Sequence, residues 1–299
     1  MDRFAQARRN SRISTAMAIT AVALAAGGAA LAQDLTGTLK KISAQETLTI
    51  GHRESSAPFS FYDEKKQPVG FAVELCERIA LSVRKAIDKP QMKVAYRAVN
   101  AQTRIAAVVD GAVDLECGTT TNMLTRQRQV DFSAIYFTTG TRVLSRKSAA
   151  AREIEDFQGK TVGVVAGSTN ERAIKAMIDA GKLANLRLSA VKDYAEGLAA
   201  LEANSVEAFA TDDIVLYDLL SKSRIKGELE VVGRFLTYDP YGLMMRRDDP
   251  DFRLVVNRTL ADLFRTGEIK EIYAKWFDPL GVPLSPLLKA GFELQALPE

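Results

Sequence analysis

The densest run of chemistry-bearing residues lies between Gly111 and Ser133, GAVDLECGTTTNMLTRQRQVDFS. Val113, Leu115 and Cys117 alternate with Asp114 and Glu116, the period of a β-strand. Gly118 then frees the backbone, and Thr119, Thr120, Thr121 and Asn122 follow at once. Hydroxyls in a row offer donors and acceptors without charge. Arg126 stands beyond Thr121 at a spacing that one turn would close, bringing its guanidinium back to the hydroxyls. Arginine is suited to holding a carboxylate by two parallel hydrogen bonds. By themselves these residues also fit a plain polar turn with a surface arginine.

A second polar cluster strengthens the first reading. The segment LEANSVEAFATDD reads as a turn, a strand over Val206–Ala210, and an acidic end at Asp212 and Asp213. The earlier AVVDGAVDLECGTTTN has the same plan, with hydroxyls in place of acids. In open α/β sheets ligands sit at the carboxyl ends of strands. One cluster offering hydroxyls and an arginine, facing another offering acids, would suit a zwitterion. Helix capping also accounts for the aspartates, since a helix is expected from Ile214 to Leu220, but one aspartate would suffice. A third candidate is the turn Ala166-Gly167-Ser168-Thr169-Asn170-Glu171 after the strand TVGVV. Ser168 or Thr169 can cap the helix that follows, with Glu171 closing a capping box, and such a helix start is also an anion site. His52, the only histidine, and Arg53 end another strand, TLTIG. A lone histidine points to structure rather than metal, and Arg53 there fits either a surface ion pair or a site.

The elements that position these clusters alternate along the chain. Helices are expected over Phe71–Ile87 (with Leu75, Ile79, Val83 and Ile87 at steps of four), Arg104–Val109, from Thr169, near Tyr194–Ala203, and over Phe252–Phe264 and Glu268–Phe277 before a proline-rich tail. Strands are expected over Lys93–Ala98, Thr139–Arg146, Leu186–Val191, Leu229–Val232 and Tyr241–Arg246. Such alternation argues for an α/β fold with mostly parallel sheets, its halves joined by two crossing strands.

The front of the chain reads differently. Arg3, Arg8, Arg9 and Arg12 precede an apolar run of small residues, and Ala30-Leu31-Ala32 has the pattern of a cleavage site. Residues 1–32 are therefore expected to be a secretory signal peptide. Taking its four arginines and one aspartate from 40 basic and 37 acidic residues leaves 36 of each. The pI of 8.7 thus mostly reflects the leader, and nothing argues for nucleic acid or an anionic membrane. Cys76 and Cys117 fit no metal motif. In an oxidising compartment they form either a bridge, which is the expectation, or two free buried thiols.

Taken together, GHRESSAPFS at 51–60, RI at 104–105, DLECGTTTN at 114–122, Arg126, DFS at 131–133, GTR at 140–142, AGSTNE at 166–171, DD at 212–213, YG at 241–242 and KWF at 275–277 carry a resemblance. The chain resembles the periplasmic solute-binding proteins of polar amino acid ABC importers, bacterial solute-binding protein family 3, and most closely their glutamate/aspartate-binding branch. The resemblance covers nearly all of the chain after the leader. It implies a two-lobed, type II Venus-flytrap fold, each lobe a mixed, mostly parallel sheet flanked by helices. Lobe 1 would hold residues 40–139 and 240–299, and lobe 2 residues 140–239. It also implies roles: Arg126 and Thr121 for a ligand α-carboxylate, Asp212 and Thr119 for its α-ammonium, and Thr169 closing from the second lobe. Arg53 and Arg104 match two arginines that hold a side-chain carboxylate. Where near relatives often carry serine and histidine around that carboxylate, this chain has Ala101 and Tyr194, so its side-chain pocket is remodelled. The implied protein is a periplasmic monomer without cofactor or metal. It binds an acidic L-amino acid and delivers it to the permease and ATPase subunits of an importer. A cyclohexadienyl or arogenate dehydratase on the same fold, and a ligand-presenting sensor, are the rival readings. A dehydratase needs a placed general acid or base and no ammonium anchor.

Overall fold

The computed structural model describes residues 35–298, so the leader expected over residues 1–32 lies outside the described residues. The first part of the chain gives α1 (Gly37–Gln45), β1 (Thr47–His52), a hairpin-like excursion β2 (Ser55–Ser56), β3 (Ser60–Tyr62) and β4 (Pro68–Val69), then α2 (Phe71–Ala86), β5 (Lys93–Ala98), α3 (Arg104–Val109), β6 (Leu115–Cys117) and β7 (Val130–Thr139). The middle gives β8 (Thr141–Arg146), β9 (Thr161–Val165), α4 (Thr169–Asp179), β10 (Arg187–Val191), α5 (Tyr194–Glu202), β11 (Ala208–Asp212), α6 (Asp213–Lys222) and β12 (Leu229–Val232). The chain then returns with β13 (Asp239–Arg246), α7 (Pro250–Thr266), α8 (Glu268–Phe277) and α9 (Pro286–Gln295).

Two five-stranded sheets result, ordered β5-β1-β6-β13-β7 and β10-β9-β11-β8-β12. In the first, β5, β1 and β6 pair in parallel and β13 runs against both β6 and β7. In the second, β10, β9 and β11 pair in parallel and β8 runs against β11 and β12. Each sheet thus has one reversed strand among otherwise co-directional ones, the mixed, mostly parallel plan expected. The chain crosses between sheets twice, from β7 to β8 and from β12 to β13. Only Gly140 separates β7 from β8, where the sequence suggests one strand from Thr139 to Arg146. A Cβ there would lie 2.2 Å from the Thr237 carbonyl oxygen on the second crossing segment, so the two crossings touch where only glycine fits.

The helices form for local reasons. In α2, Leu75, Ile79 and Val83 are buried one turn apart, which aligns them on one face. Asp249 accepts from the Phe252 amide ahead of Pro250 in α7, and Gly267 ends that helix at φ 84°. The tail read as proline-rich coil contains α9, because Pro286 occupies the first turn, where no amide is needed, and Ser285 accepts from the Leu288 amide at 3.1 Å. The full length of β7, the helix α1 and the small sheet β2-β3-β4 have no clean period in the sequence.

An aromatic cluster underlies the first sheet where the chain crosses. Phe59 packs edge-on to Phe137 (4.8 Å) and Tyr241 (5.3 Å), and Phe137 stacks on Phe277 (5.1 Å). Val162, Val164, Phe157, Ile174 and Ala208 form the core beneath the second sheet. A disulfide joins Cys76 on α2 to Cys117 on β6, with Cα atoms 6.4 Å apart. It fastens the strand that precedes the hydroxyl run to the helix behind it.

Candidate functional site

The residues singled out in the sequence gather at the carboxyl ends of strands. Arg53 follows β1, Thr119 to Thr121 follow β6, and Arg104 opens α3 after β5. Thr169 opens α4 after β9, Tyr194 opens α5 after β10, and Asp212 ends β11. This is where open α/β sheets place ligand contacts, since the strand ends leave backbone and side chains free to converge. All of them, and Arg126 in the turn beyond Thr121, are buried.

Buried cations line the first-lobe side. Arg104 Nη1 donates to the Thr119 carbonyl (2.9 Å) and to Thr120 Oγ1 (2.7 Å). Arg126 Nη1 donates to the Thr121 carbonyl at 2.9 Å. The turn therefore does bring Arg126 back, but to a carbonyl rather than to a hydroxyl. Arg53 Nη1 reaches Thr119 Oγ1 at 3.5 Å, and its guanidinium lies 5.7 Å from the centre of the Tyr194 ring. Burial lowers the Arg104 pKa, with Glu116 opposing it and Arg53 adding to it. Burial, then Arg104 and Arg172, lower Arg126 to about 9, which leaves it charged at neutral pH. Three guanidinium groups held this close and this dry favour an anion.

Acid and hydroxyl groups close the other side. Asp212 stands at the N-cap position of α6 but makes no side-chain capping bond. One carboxylate oxygen accepts from Asn170 Nδ2 at 2.9 Å and the other from the Tyr241 hydroxyl. Burial raises the Asp212 carboxyl to about 7, nearby Asp239 adds to this, and the Tyr241 and Asn170 bonds pull the other way. The plain capping reading of Asp212 therefore fails; its carboxylate is held by Asn170 and Tyr241 instead. Asp213 takes a bond from Thr139 Oγ1 instead (2.5 Å). Ser168, not Thr169, caps α4, accepting from the Glu171 amide at 3.0 Å, while Glu171 Oε2 accepts from the Gly167 amide at 2.7 Å. Thr169 is thereby free to approach the opposite lobe.

Several contacts bridge the lobes around these residues. The Thr119 and Tyr194 hydroxyls lie 3.2 Å apart, the Thr121 and Thr169 hydroxyls 3.5 Å apart, and Tyr241 of β13 bonds Asp212 of β11. Thr121 also donates to Asp239 Oδ1 at 2.9 Å. A cavity of about 440 Å³ lies elsewhere, lined by Phe137, Thr139, Asp213, Phe235, Tyr273 and Leu288 beside the crossing strands. We place the site at the converging charges rather than at that open volume. Buried charges need a partner, whereas an apolar hollow needs none.

Several participants escape sequence reasoning. Glu116, Thr120, Asn170, Asp239 and Tyr241 are buried among the candidate residues. Asn170 and Tyr241 sit in motifs quoted for the resemblance, but only the fold brings them to Asp212. Glu116 alternates with Leu115 and Cys117, yet β6 is covered on both faces, so no residue of it reaches solvent. His52 packs against the Tyr62 ring at 4.9 Å and shares Nδ1 with the Arg53 carbonyl, a structural role.

The profile of the bacterial extracellular solute-binding proteins, family 3, matches residues 48–279. The chain belongs to that family. Among relatives of this family 3 protein, the L-glutamate/L-aspartate-binding protein of Pseudomonas aeruginosa is 40% identical over 268 residues, 89% of this chain and 88% of its own. The glutamate/aspartate import solute-binding protein of Escherichia coli is 35% identical over 284 residues, 93% and 92% of the two chains. Among solved structures, an ancestral amino acid-binding protein described as a precursor of cyclohexadienyl dehydratase superposes with a TM-score of 0.68 at 27% identity, covering 81% of this chain and 100% of that one. The fold is thus the two-lobed one of solute-binding proteins.

Proposed function

We propose that this family 3 protein binds glutamate or aspartate between its lobes and delivers it to the permease and ATPase of an ABC importer. The observation that carries the reading is the set of buried arginines, Arg53, Arg104 and Arg126, opposite an aspartate without a capping role. An acidic amino acid presents two carboxylates and one ammonium, the complement of that set. Arg126 and Thr121 take the α-carboxylate, and Asp212 and Thr119 the α-ammonium. Arg53, Arg104 and Tyr194 face the side chain, and Thr169 closes from the second lobe. The names of the Pseudomonas and Escherichia relatives support the same ligand class. We place the protein in the periplasm, as a monomer, with lobe 1 formed by residues 40–139 and 240–299 and lobe 2 by residues 140–239.

Each charge-assisted hydrogen bond contributes about 1.5–3 kcal/mol, and a micromolar Kd needs about −8 kcal/mol. A few such contacts therefore suffice. Calorimetry on the protein without residues 1–32, against the twenty common amino acids, tests the reading. Binding confined to glutamate and aspartate is expected, and no saturable heat with either of them at millimolar ligand would sink the reading.

A buried carboxyl near pH 7 is also what a general acid requires, and a solved neighbour is described as a precursor of a dehydratase. Incubation with prephenate and arogenate separates the two readings. We expect no product from either: the α-ammonium of arogenate beside Asp212 ionises it and removes the acid, and prephenate, which has no ammonium, leaves the Asp212 anchor without its partner.

A further inference from the structure

The strand behind the hydroxyl run carries an acid that the proposed ligand contacts do not use. Glu116 is fully buried. Its Oε2 accepts from Thr120 Oγ1 at 2.7 Å, and that same Thr120 oxygen accepts from Arg104 Nη1 at 2.7 Å. A carboxylate, a hydroxyl and a guanidinium thus form one chain. Glu116 Oε1 has no hydrogen-bond partner, and neither has Arg104 Nε. Among the described residues Arg104 bonds through Nη1, and its buried Nε has no partner there.

Glu116 also lies against Arg53. A Cβ on Gly118 would meet Glu116 Oε1 at 2.6 Å and the Arg53 Cγ at 2.8 Å. The carboxylate and the stem of one arginine converge on a spot that only glycine leaves open, while Thr120 links the same carboxylate to the other arginine. An ion buried with an oxygen unpaired is costly unless opposite charge offsets it. Here the opposite charge is the arginine pair, whose mutual repulsion the acid relieves.

We propose that Glu116 is a positioning residue that holds Arg104 through Thr120 and offsets its charge, and so sets how strongly the cleft separates an acidic amino acid from its neutral amide, on the reading that the ligand is an acidic amino acid. A fixed negative charge beside Arg104 repels an incoming side-chain carboxylate and leaves an amide nearly unaffected. Glutamine in its place keeps an oxygen for the Thr120 hydroxyl and removes the charge.

Calorimetric titration of glutamate and of glutamine into wild type, Glu116→Gln and Thr120→Val, at one pH and salt, tests this. In Glu116→Gln, glutamate is expected to bind at least threefold tighter with glutamine within twofold of wild type. In Thr120→Val, Arg104 keeps the Thr119 carbonyl but loses its link to Glu116, and the preference for glutamate is expected to narrow at least threefold. A merely structural role would weaken both ligands together, and an unchanged glutamate-to-glutamine ratio in both variants overturns the proposal. Should Glu116→Gln not fold, the ratio in Thr120→Val decides alone: narrowing supports the proposal and constancy overturns it. A wild type that shows no preference for acidic ligands overturns the functional reading and this proposal with it. A wild type that prefers glutamate, with constant ratios in the variants, overturns this proposal only.

Discussion

Asp212 concentrates the electrostatics of the cleft in one carboxyl. Its pKa is raised from 3.8 to about 7, so ionising it in the unliganded protein costs free energy. A raised carboxyl contributes stability that is fully present below about pH 4 and is lost as pH rises through about 7. A ligand α-ammonium reverses that loss, because it favours the ionised form. Glutamate affinity should therefore rise between pH 5 and pH 8, and binding near pH 6 should release protons. Calorimetry in buffers of different ionisation heat measures that release, and Asp212→Asn should abolish both trends. Arg126→Ala tests the opposite pole. It should leave the α-carboxylate buried and unpaired, weakening binding by about 2–5 kcal/mol, roughly 30- to 5,000-fold. A folded Arg126→Ala protein binding within threefold of wild type would remove Arg126 from the site.

At the scale of elements, the disulfide between α2 and β6 should matter more than any single helix cap. A bridge closing a separation of 41 residues restricts the unfolded chain by about 4 kcal/mol in the loop-entropy account. Cys76→Ser with Cys117→Ser should lower the denaturation midpoint accordingly, and an unchanged midpoint in urea would contradict it. The strands and helices that carry a clean period, such as α2, β5 and β9, were legible in the sequence. So was the gathering of Arg53, Thr119, Thr121, Thr169 and Asp212 at strand ends. What was not legible depends on tertiary cover. β6 is buried on both faces, so its alternation says nothing about which side Glu116 meets. Asn170 opens α4 and meets Asp212 by the packing of that helix on β11, whereas Tyr241 reaches Asp212 from β13 of the other sheet, and neither meeting follows from a local pattern.

For the whole molecule, contacts from both lobes around one cleft imply closure coupled to binding. A ligand shifts an open–closed equilibrium only by its differential affinity for the two states. With the proposed contacts, the differential would come from Asp212 and Thr169 on one lobe with Arg126 and Thr121 on the other. Lys222 of α6 also lies 5.1 Å from the centre of the Phe61 ring, a cation–π contact across the rim. Small-angle scattering should show a smaller radius of gyration at saturating glutamate than without it. Equal radii would argue against a moving cleft.

The order β5-β1-β6-β13-β7 has a consequence for how the chain is made. β13 lies between β6 and β7, yet it leaves the ribosome after every strand of the other sheet, whose pairings all fall within residues 141–232. The second sheet can assemble as soon as β12 emerges. The first must wait with a gap between β6 and β7 until residue 246 is available. Pairings between such distant segments form slowly. A chain emerging N-terminus first would thus carry one finished lobe and one incomplete lobe until β13 is available, and the incomplete lobe is the one that holds both Cys76 and Cys117.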